Sequence, residues 1–345
     1  MSVRPSRVDI VFDERQLAHH PAVELHNGGW ADYAEKPSRA EMILREFEGH
    51  RPARDHGLDP ILRVHSPDYV AFLRSAHEDW IAAGRSGDAI GYTWPVVGRR
   101  DVPLDRIDAR LGRYSYDAAT PITADTWDAA YWSAQSALTA LEGVLDDGRD
   151  LAFALCRPPG HHAGPDYLGG YCYLNSAAIV AAEAGHRGRR VAILDVDYHH
   201  GNGTQDIFYG SAAIAFASIH ADPGMDYPFY WGHADERGGD AGEGTTLNLP
   251  LPRGTGLDTY LPALETACAF IQAHGADLLV LSYGADTFEH DPISHFRLRE
   301  QDYSVIGSRI AAMKIPTVVV MEGGYAIGAL GRNVASLLSG FSIQG

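Results

Sequence analysis

The chain has 345 residues, with 28 basic and 45 acidic side chains, a formal net charge of −17 and 17 histidines counted as neutral. A chain this long can bury a substantial core without disulfide or metal staples; its acidity repels phosphate backbones and anionic headgroups, which argues against nucleic acid and membrane partners and leaves cationic ligands favoured. Cys156, Cys172 and Cys268 include no C-x-x-C pair, Met1–Val8 has no apolar leader, and no apolar run approaches a membrane span, so the expectation is a soluble, cytoplasmic protein in a reducing compartment.

In chain order, a short apolar run predicts a first strand at Val8–Phe12, followed by amphipathic helices at Arg39–Glu48 and Tyr69–Ala83. Ser86–Thr126 then lacks any clear period. It contains Trp94-Pro95, Arg99-Arg100, Pro103 and Pro121 and reads as a long functional or interface insertion. A helix at Trp127–Leu145 leads to a strand at Leu151–Leu155, a helix at Ser176–Ala184 to strands at Val191–Val196 and Ile214–Ile219, and a helix at Thr259–His274 to a strand at Leu278–Ser282. The pattern closes with a helix at Tyr303–Met313, a strand at Thr317–Met321 and a helix at Ala329–Leu338. Strands that are apolar on both faces and alternate with helices predict an α/β fold, a single-domain doubly wound and mainly parallel sheet sandwiched by helices.

Ligand sites in such sheets lie beyond the carboxyl ends of the strands. The segments there are Cys156-Arg-Pro-Pro-Gly-His161-His162, Asp195-Val-Asp197-Tyr-His199-His200-Gly-Asn202-Gly, Ser218-Ile-His220-Ala-Asp222, Tyr283-Gly-Ala-Asp286 and Glu322-Gly-Gly-Tyr325. Side chains alternate along an extended segment, so Asp195, Asp197 and His199 converge on one side. Carboxylates that close together at a buried strand end call for a cation; the plain alternative is a solvated loop or a helix cap. With Asp286, the pair Asp197 and His199 would form an O/N/O site with an open position, as in catalytic zinc centres, where the ion ionises a water and polarises a carbonyl. Two hard carboxylate ligands also suit iron(II), cobalt(II) or manganese(II). His161 and His162 are proton carriers near neutral pH, with Asp195 and Asn202 available to orient them. The phenol of Tyr325, presented after a glycine pair, would donate a hydrogen bond to a developing oxyanion.

The strings Arg157-Pro-Pro-Gly-His-His-Ala-Gly164, Gly169-Gly-Tyr-Cys-Tyr-Leu-Asn175, Asp195-Val-Asp-Tyr-His-His-Gly-Asn-Gly203, Gly284-Ala-Asp-Thr287 and Glu322-Gly-Gly-Tyr325 together resemble the arginase/deacetylase superfamily. Within it they resemble the metal-dependent deacetylases that include histone deacetylases and acetylpolyamine amidohydrolases. The resemblance covers nearly the whole chain and implies one deacetylase domain over residues 1–345, with a sheet of about eight strands. It implies Asp197, His199 and Asp286 as zinc ligands, His162 as general base and acid, His161 as its electrostatic partner, Tyr325 as the carbonyl-polarising phenol, and Asp195 and Asn202 as the orienting groups of His161 and His162. Some relatives carry Asp at the Asn202 position. A structural potassium ion is implied at backbone oxygens of Asp195, Asp197, His199 and Ile219 with the Ser218 side chain. Gly170 and Tyr171 are implied as a tunnel border, and Arg39 as neighbour to an internal acetate channel.

Further likeness to acetylpolyamine amidohydrolases lies in the 86–126 insertion, with Gly91-Tyr-Thr-Trp-Pro-Val-Val and Tyr114-Ser-Tyr-Asp117, and in Gln205-Asp-Ile-Phe-Tyr209 and Phe288-Glu-His-Asp-Pro-Ile293. In that group the insertion makes a homodimer and narrows the tunnel mouth. This implies rim residues His26, Tyr227 and Ile293, with Asp117 or Asp108 as the acid nearest the mouth. The expected reaction is hydrolysis of a small, cationic acetylated amine to amine and acetate. The rivals are an acyl-lysine deacylase, a two-manganese ureohydrolase of the arginase branch, which needs more aspartates than this chain offers, and a non-catalytic sensor of acetylated amines.

Overall fold

The computed structural model describes residues 8–98, 100 and 102–342. The N-terminal residues 1–7 and Arg99 of the Arg99-Arg100 pair, both noted above, lie outside the described residues. Seven strands form one fully parallel sheet: β1 (Asp9–Val11), β4 (Leu151–Ala154), β5 (Val191–Asp195), β6 (Ile214–Ala221), β7 (Thr246–Leu251), β8 (Leu278–Tyr283) and β9 (Thr317–Met321). Their order is β1-β4-β9-β8-β5-β6-β7, and a separate antiparallel hairpin pairs β2 (Val23–His26) with β3 (Gly29–Asp32). The count of about eight strands is therefore corrected to seven in the main sheet among the described residues.

The alternation of side chains splits each strand between two cores. Val191 and Ile193 join one apolar cluster while Ala192 and Leu194 join the other; Val318 and Val320 likewise oppose Val319 and Met321. The first face is covered by α2 (Asp59–Leu62), α3 (Pro67–Ala82), α4 (Ile107–Arg113), α5 (Thr126–Leu145), α6 (Ser176–His186) and α7 (Asn202–Phe208). The second face is covered by α1 (Ser38–Leu44), α8 (Leu257–His274), α9 (Glu300–Ala311) and α10 (Ile327–Ser342). The irregular 86–126 segment holds α4, whose arginines pair with acids outside it: Arg110 with Asp79 at 2.8 Å and Arg113 with Asp166 at 3.0 Å. No helix among the described residues is long and apolar enough to cross a membrane.

Topology determines where the site falls. From β5 the chain steps outward to β6 and β7, then returns to lay β8 on the opposite side of β5. Connections diverge at that point, which opens a crevice above the carboxyl ends of β5 and β8. Asn175 secures its floor: the side chain caps α6 by accepting from the Ala178 amide at 2.9 Å, and it donates to the Ala163 carbonyl and the Thr204 hydroxyl, both at 3.0 Å. One residue thereby joins α6, α7 and the turn that carries the two histidines.

Candidate active site

Asp197 and His199 follow β5, and Asp286 follows β8. Their ligand atoms all lie within 4.8 Å of one another, with the two carboxylates buried and His199 partly so. His199 Nδ1 is 3.0 Å from Asp286 Oδ2 and 3.4 Å from Asp197 Oδ1. Backbone amides hold the carboxylates: Tyr198 N donates to Asp286 Oδ1 at 2.9 Å, His199 N to Asp197 Oδ1 at 2.9 Å, and Gly323 N to Asp197 Oδ2 at 2.9 Å. Burial and then the Asp197 charge push the Asp286 carboxyl up to about 7. Burial works against Asp197 ionisation too, but His161 and His199 outweigh it and hold that carboxyl below the ordinary range. Two buried acids and an imidazole arranged around one point fit a divalent cation, which offsets the repulsion the protein alone leaves between them.

The two neighbouring imidazoles sit in contrasting surroundings. His161 Nδ1 lies 2.9 Å from Asp195 Oδ2, and His162 Nδ1 lies 2.7 Å from the Asn202 amide oxygen; the rings are 4.0 Å apart. Burial disfavours the cation at His161, yet the carboxylates of Asp195 and Asp197 overcome this and push the imidazole up to about 10. At His162, burial is joined by the positive charge of the neighbouring His161, and the imidazole is held well below its ordinary value. One histidine is thereby cationic and its neighbour neutral at the same pH, the divergence expected of an acid–base pair. Both imidazoles are buried; His161 has carboxylates to offset that burial, whereas His162 has an amide partner and a charged neighbour.

Tyr325 follows β9 and packs with Tyr33 and Tyr171 in a small aromatic cluster, its ring 5.6 Å from Tyr171. Burial holds the phenol well above its ordinary value, with Arg39 pulling the other way, so it stays protonated and able to donate. The Arg39 guanidinium lies 4.9 Å from the Tyr325 ring centre and donates to the carbonyls of Gly324 at 2.7 Å and Glu322 at 2.6 Å. Glu35, fully buried, sits between Arg39 at 2.8 Å and Arg157 at 2.9 Å.

The residues expected at the rim are also brought to this end of the sheet. Gly170 adopts φ +56°, and a Cβ there would lie 2.2 Å from His162 Cδ2 and 3.0 Å from Tyr227 Oη, so only glycine lets the loop approach the imidazole. Tyr227 stands edge-on to His162, with ring centres 5.1 Å apart. Ile293 packs against the Tyr33–Tyr171–Tyr325 cluster. His26 is exposed on the hairpin, its Nδ1 3.9 Å from Glu24. Asp117 accepts from the Gly170 amide at 2.7 Å, the Tyr227 hydroxyl at 2.9 Å and the Thr120 hydroxyl at 2.9 Å, so it braces the rim. Asp108 is taken up by Arg85 and Arg106 at 2.6 and 2.8 Å. In the β5–β6 register Ser218 stands opposite Asp195, which gathers the residues implied for potassium at two adjacent strand ends.

Four contributors escaped the sequence reading. Glu24 accepts from the Tyr171 hydroxyl at 3.0 Å and keeps its other oxygen buried without a partner; burial pushes it up to about 7. Tyr116 stacks on Tyr227 and shares a short hydrogen bond with its hydroxyl. Asp291 holds the Tyr325 backbone, its Oδ2 accepting from that amide at 2.7 Å. Glu322 accepts from the amides of Gly160 at 2.7 Å and His161 at 3.1 Å and from the Ser282 hydroxyl at 2.7 Å. It also lies with His161 and Cys172 in a second group of the kind that binds metals, but these three donors already engage its carboxylate. Tyr116, Asp291 and Glu322 lie inside motifs named above, but nothing local signals partners 111, 34 and 162 residues distant.

A profile of the histone deacetylase domain matches residues 33–341. Acetylpolyamine amidohydrolase 2 of Pseudomonas aeruginosa is 48% identical over 337 residues, covering 96% of this chain and 98% of the relative. Acetylpolyamine amidohydrolase of Mycoplana ramosa is 44% identical over 341 residues, covering 96% and 98%. The crystal structure of acetylpolyamine aminohydrolase from Burkholderia pseudomallei superposes with a TM-score of 0.93 at 38% identity, covering 98% of this chain and 99% of that one.

Proposed function

Because the chain belongs to the histone deacetylase family of metal-dependent amidohydrolases, we propose that it hydrolyses acetylated polyamines or similar small acetylated amines to free amine and acetate. The observation that carries the reading is the meeting, at adjacent strand ends, of the Asp197–His199–Asp286 set with a neutral imidazole and a protonated phenol. Zinc is the ion we assign to that set. When bound there, it supplies Lewis-acid polarisation of the amide carbonyl and lowers the pKa of a water.

The chain's own groups do the rest. With Nδ1–H donated to Asn202, the neutral His162 presents Nε2 as the proton acceptor for the attacking water. Tyr325 donates its O–H to the amide oxygen as negative charge develops there. His161, charged and paired with Asp195, stabilises that negative charge and keeps His162 neutral. Return of a proton from either imidazole releases the amine. Gly170, Tyr171, Tyr227, Ile293 and His26 are assigned to the walls and rim of the substrate tunnel, and Glu24, whose buried oxygen has no partner, is the nearby acid available to a cationic amine. Potassium is assigned to the backbone oxygens of Asp195, Asp197, His199 and Ile219 with Ser218, and the working compartment is the cytoplasm.

The 86–126 insertion is assigned to a homodimer interface at the tunnel mouth, supported by the exposure of Tyr92, Val96 and Val97. A monomer by light scattering overturns that assignment. The central test is acetate release from acetylputrescine, acetylcadaverine, acetylspermidine and acetyl-lysine peptides in one panel. We expect turnover of the polyamines; preference for peptides overturns the substrate, and no acetate from a metal-filled enzyme overturns the activity. Tyr325→Phe should retain metal and lose about 10²–10³ in kcat, and full turnover in that variant removes the phenol's role.

A further inference from the structure

We propose that Asp291 is a positioning residue for the Tyr325 phenol, fixing the height at which its hydroxyl meets the substrate oxygen. The inference rests on the amidohydrolase reading above. The approach to Tyr325 runs through Gly323 and Gly324, and Gly324 sits at φ +125°, a conformation only glycine adopts readily. Backbone preference therefore does not define where the phenol points. Upstream, the segment is tied by Gly323 N to Asp197 and by Arg39 to the carbonyls of Glu322 and Gly324. At Tyr325 itself the tie is Asp291, whose Oδ2 accepts from the Tyr325 amide at 2.7 Å and the Ala326 amide at 3.2 Å.

The other oxygen, Oδ1, accepts from the Ile293 amide at 3.1 Å. Ile293 packs on the cluster that contains the Tyr325 ring, so one buried carboxylate joins the phenol's backbone to a wall residue of the same crevice. The plainer role is a cap: Tyr325 and Ala326 immediately precede α10, and a carboxylate is favoured at a helix N-terminus. A cap alone would stabilise the fold without coupling to the hydroxyl of Tyr325. That difference separates the two roles.

The experiment is a double-mutant cycle of Asp291→Asn and Tyr325→Phe, reading kcat and KM for acetate release from acetylputrescine together with zinc content and thermal midpoint. Asn keeps the volume but turns an NH2 towards either Ile293 N or the Tyr325 and Ala326 amides. Asp291→Asn is expected to lower kcat by up to about 10²-fold, the scale of an ångström's misplacement, with KM and zinc content little changed. In the Tyr325→Phe background it should produce no further loss. An equal loss in both backgrounds, or no loss in either, overturns the proposal. Should Asp291→Asn fail to fold, Asp291→Ser carries the same cycle, since its shorter hydroxyl withdraws from the Tyr325 amide. Full turnover by Tyr325→Phe alone would instead overturn the phenol's assignment, which keeps the two failures distinct.

Discussion

Replacing Asn202 with aspartate would give His162 the kind of partner His161 already has. The amide oxygen is 2.7 Å from His162 Nδ1 in a buried site, so the new charge would lie about 4 Å from the centre of an imidazolium, worth about 4 kcal/mol at an effective dielectric near 20. At about 1.36 kcal/mol per pKa unit that corresponds to a rise of about 3 units. The cost of burying a new carboxylate reduces this to a net rise of about 1–3 units. The sign follows from the role: a base must be neutral, and a raised pKa keeps it protonated to higher pH. The acidic limb of kcat/KM for acetate release should therefore move upward by about 1–3 pH units, while turnover persists on the alkaline side. The assay is the pH profile with metal content measured on each sample. An acidic limb that stays in place or moves down would refute the claim that His162 stays neutral because its partner at position 202 carries no charge.

Chelation should abolish acetate release and lower the thermal midpoint together, because Asp197 and Asp286 lose the cation that balances them. Zinc or cobalt(II) should restore both at close to one ion per chain, and two transition-metal ions per chain would point to the arginase-like alternative. Glu35→Gln should destabilise the fold by about 3–5 kcal/mol, since it leaves the buried Arg39 and Arg157 facing a neutral amide. Urea unfolding with an unchanged m-value measures this, and a loss under about 1 kcal/mol would show that the backbone carbonyls around the guanidiniums suffice.

The six strands read from sequence were those buried on both faces, where continuous apolar runs leave a strong signal. β7 was missed because, unlike the buried β1 at the opposite edge of the sheet, it carries Pro250 and is only partly buried. In the β2–β3 hairpin the alternation of Val23-Glu-Leu-His26 runs against the burial, with Glu24 buried and Val23 exposed, and Gly29–Asp32 is exposed throughout, although Asn27 and Gly28, both at positive φ, are the standard two-residue turn between paired strands. α7 was hidden by Gly201-Asn-Gly203, which reads as a turn. Residues that act on the reacting atoms announce themselves because they crowd short segments at strand ends. Their supports come from anywhere in the chain: Asp117 reaches Gly170 across 53 positions and Arg39 reaches Gly324 across 285. A single carboxylate in a loop carries no periodicity from which such a partner could be inferred.

The distribution of acids constrains how a cationic substrate is selected. The formal charge of −17 suggests an outward field, but of the carboxylates nearest the crevice all but Glu24, which keeps one oxygen free, are fully engaged. Asp195 is bound to His161, Asp117 to Gly170 and Tyr227, Asp108 to two arginines, and Asp291 to three amides. Field from the remaining surface acids is screened beyond roughly 8–10 Å at physiological salt. It draws every cationic amine alike and cannot rank them. Ranking must come from contact, and here Tyr171 and Tyr227 each donate a hydroxyl to a carboxylate, Glu24 and Asp117 respectively. Two phenols pinned in this way lose the freedom to adapt to a bulkier chain, so the acids that hold them set the width through which the substrate passes.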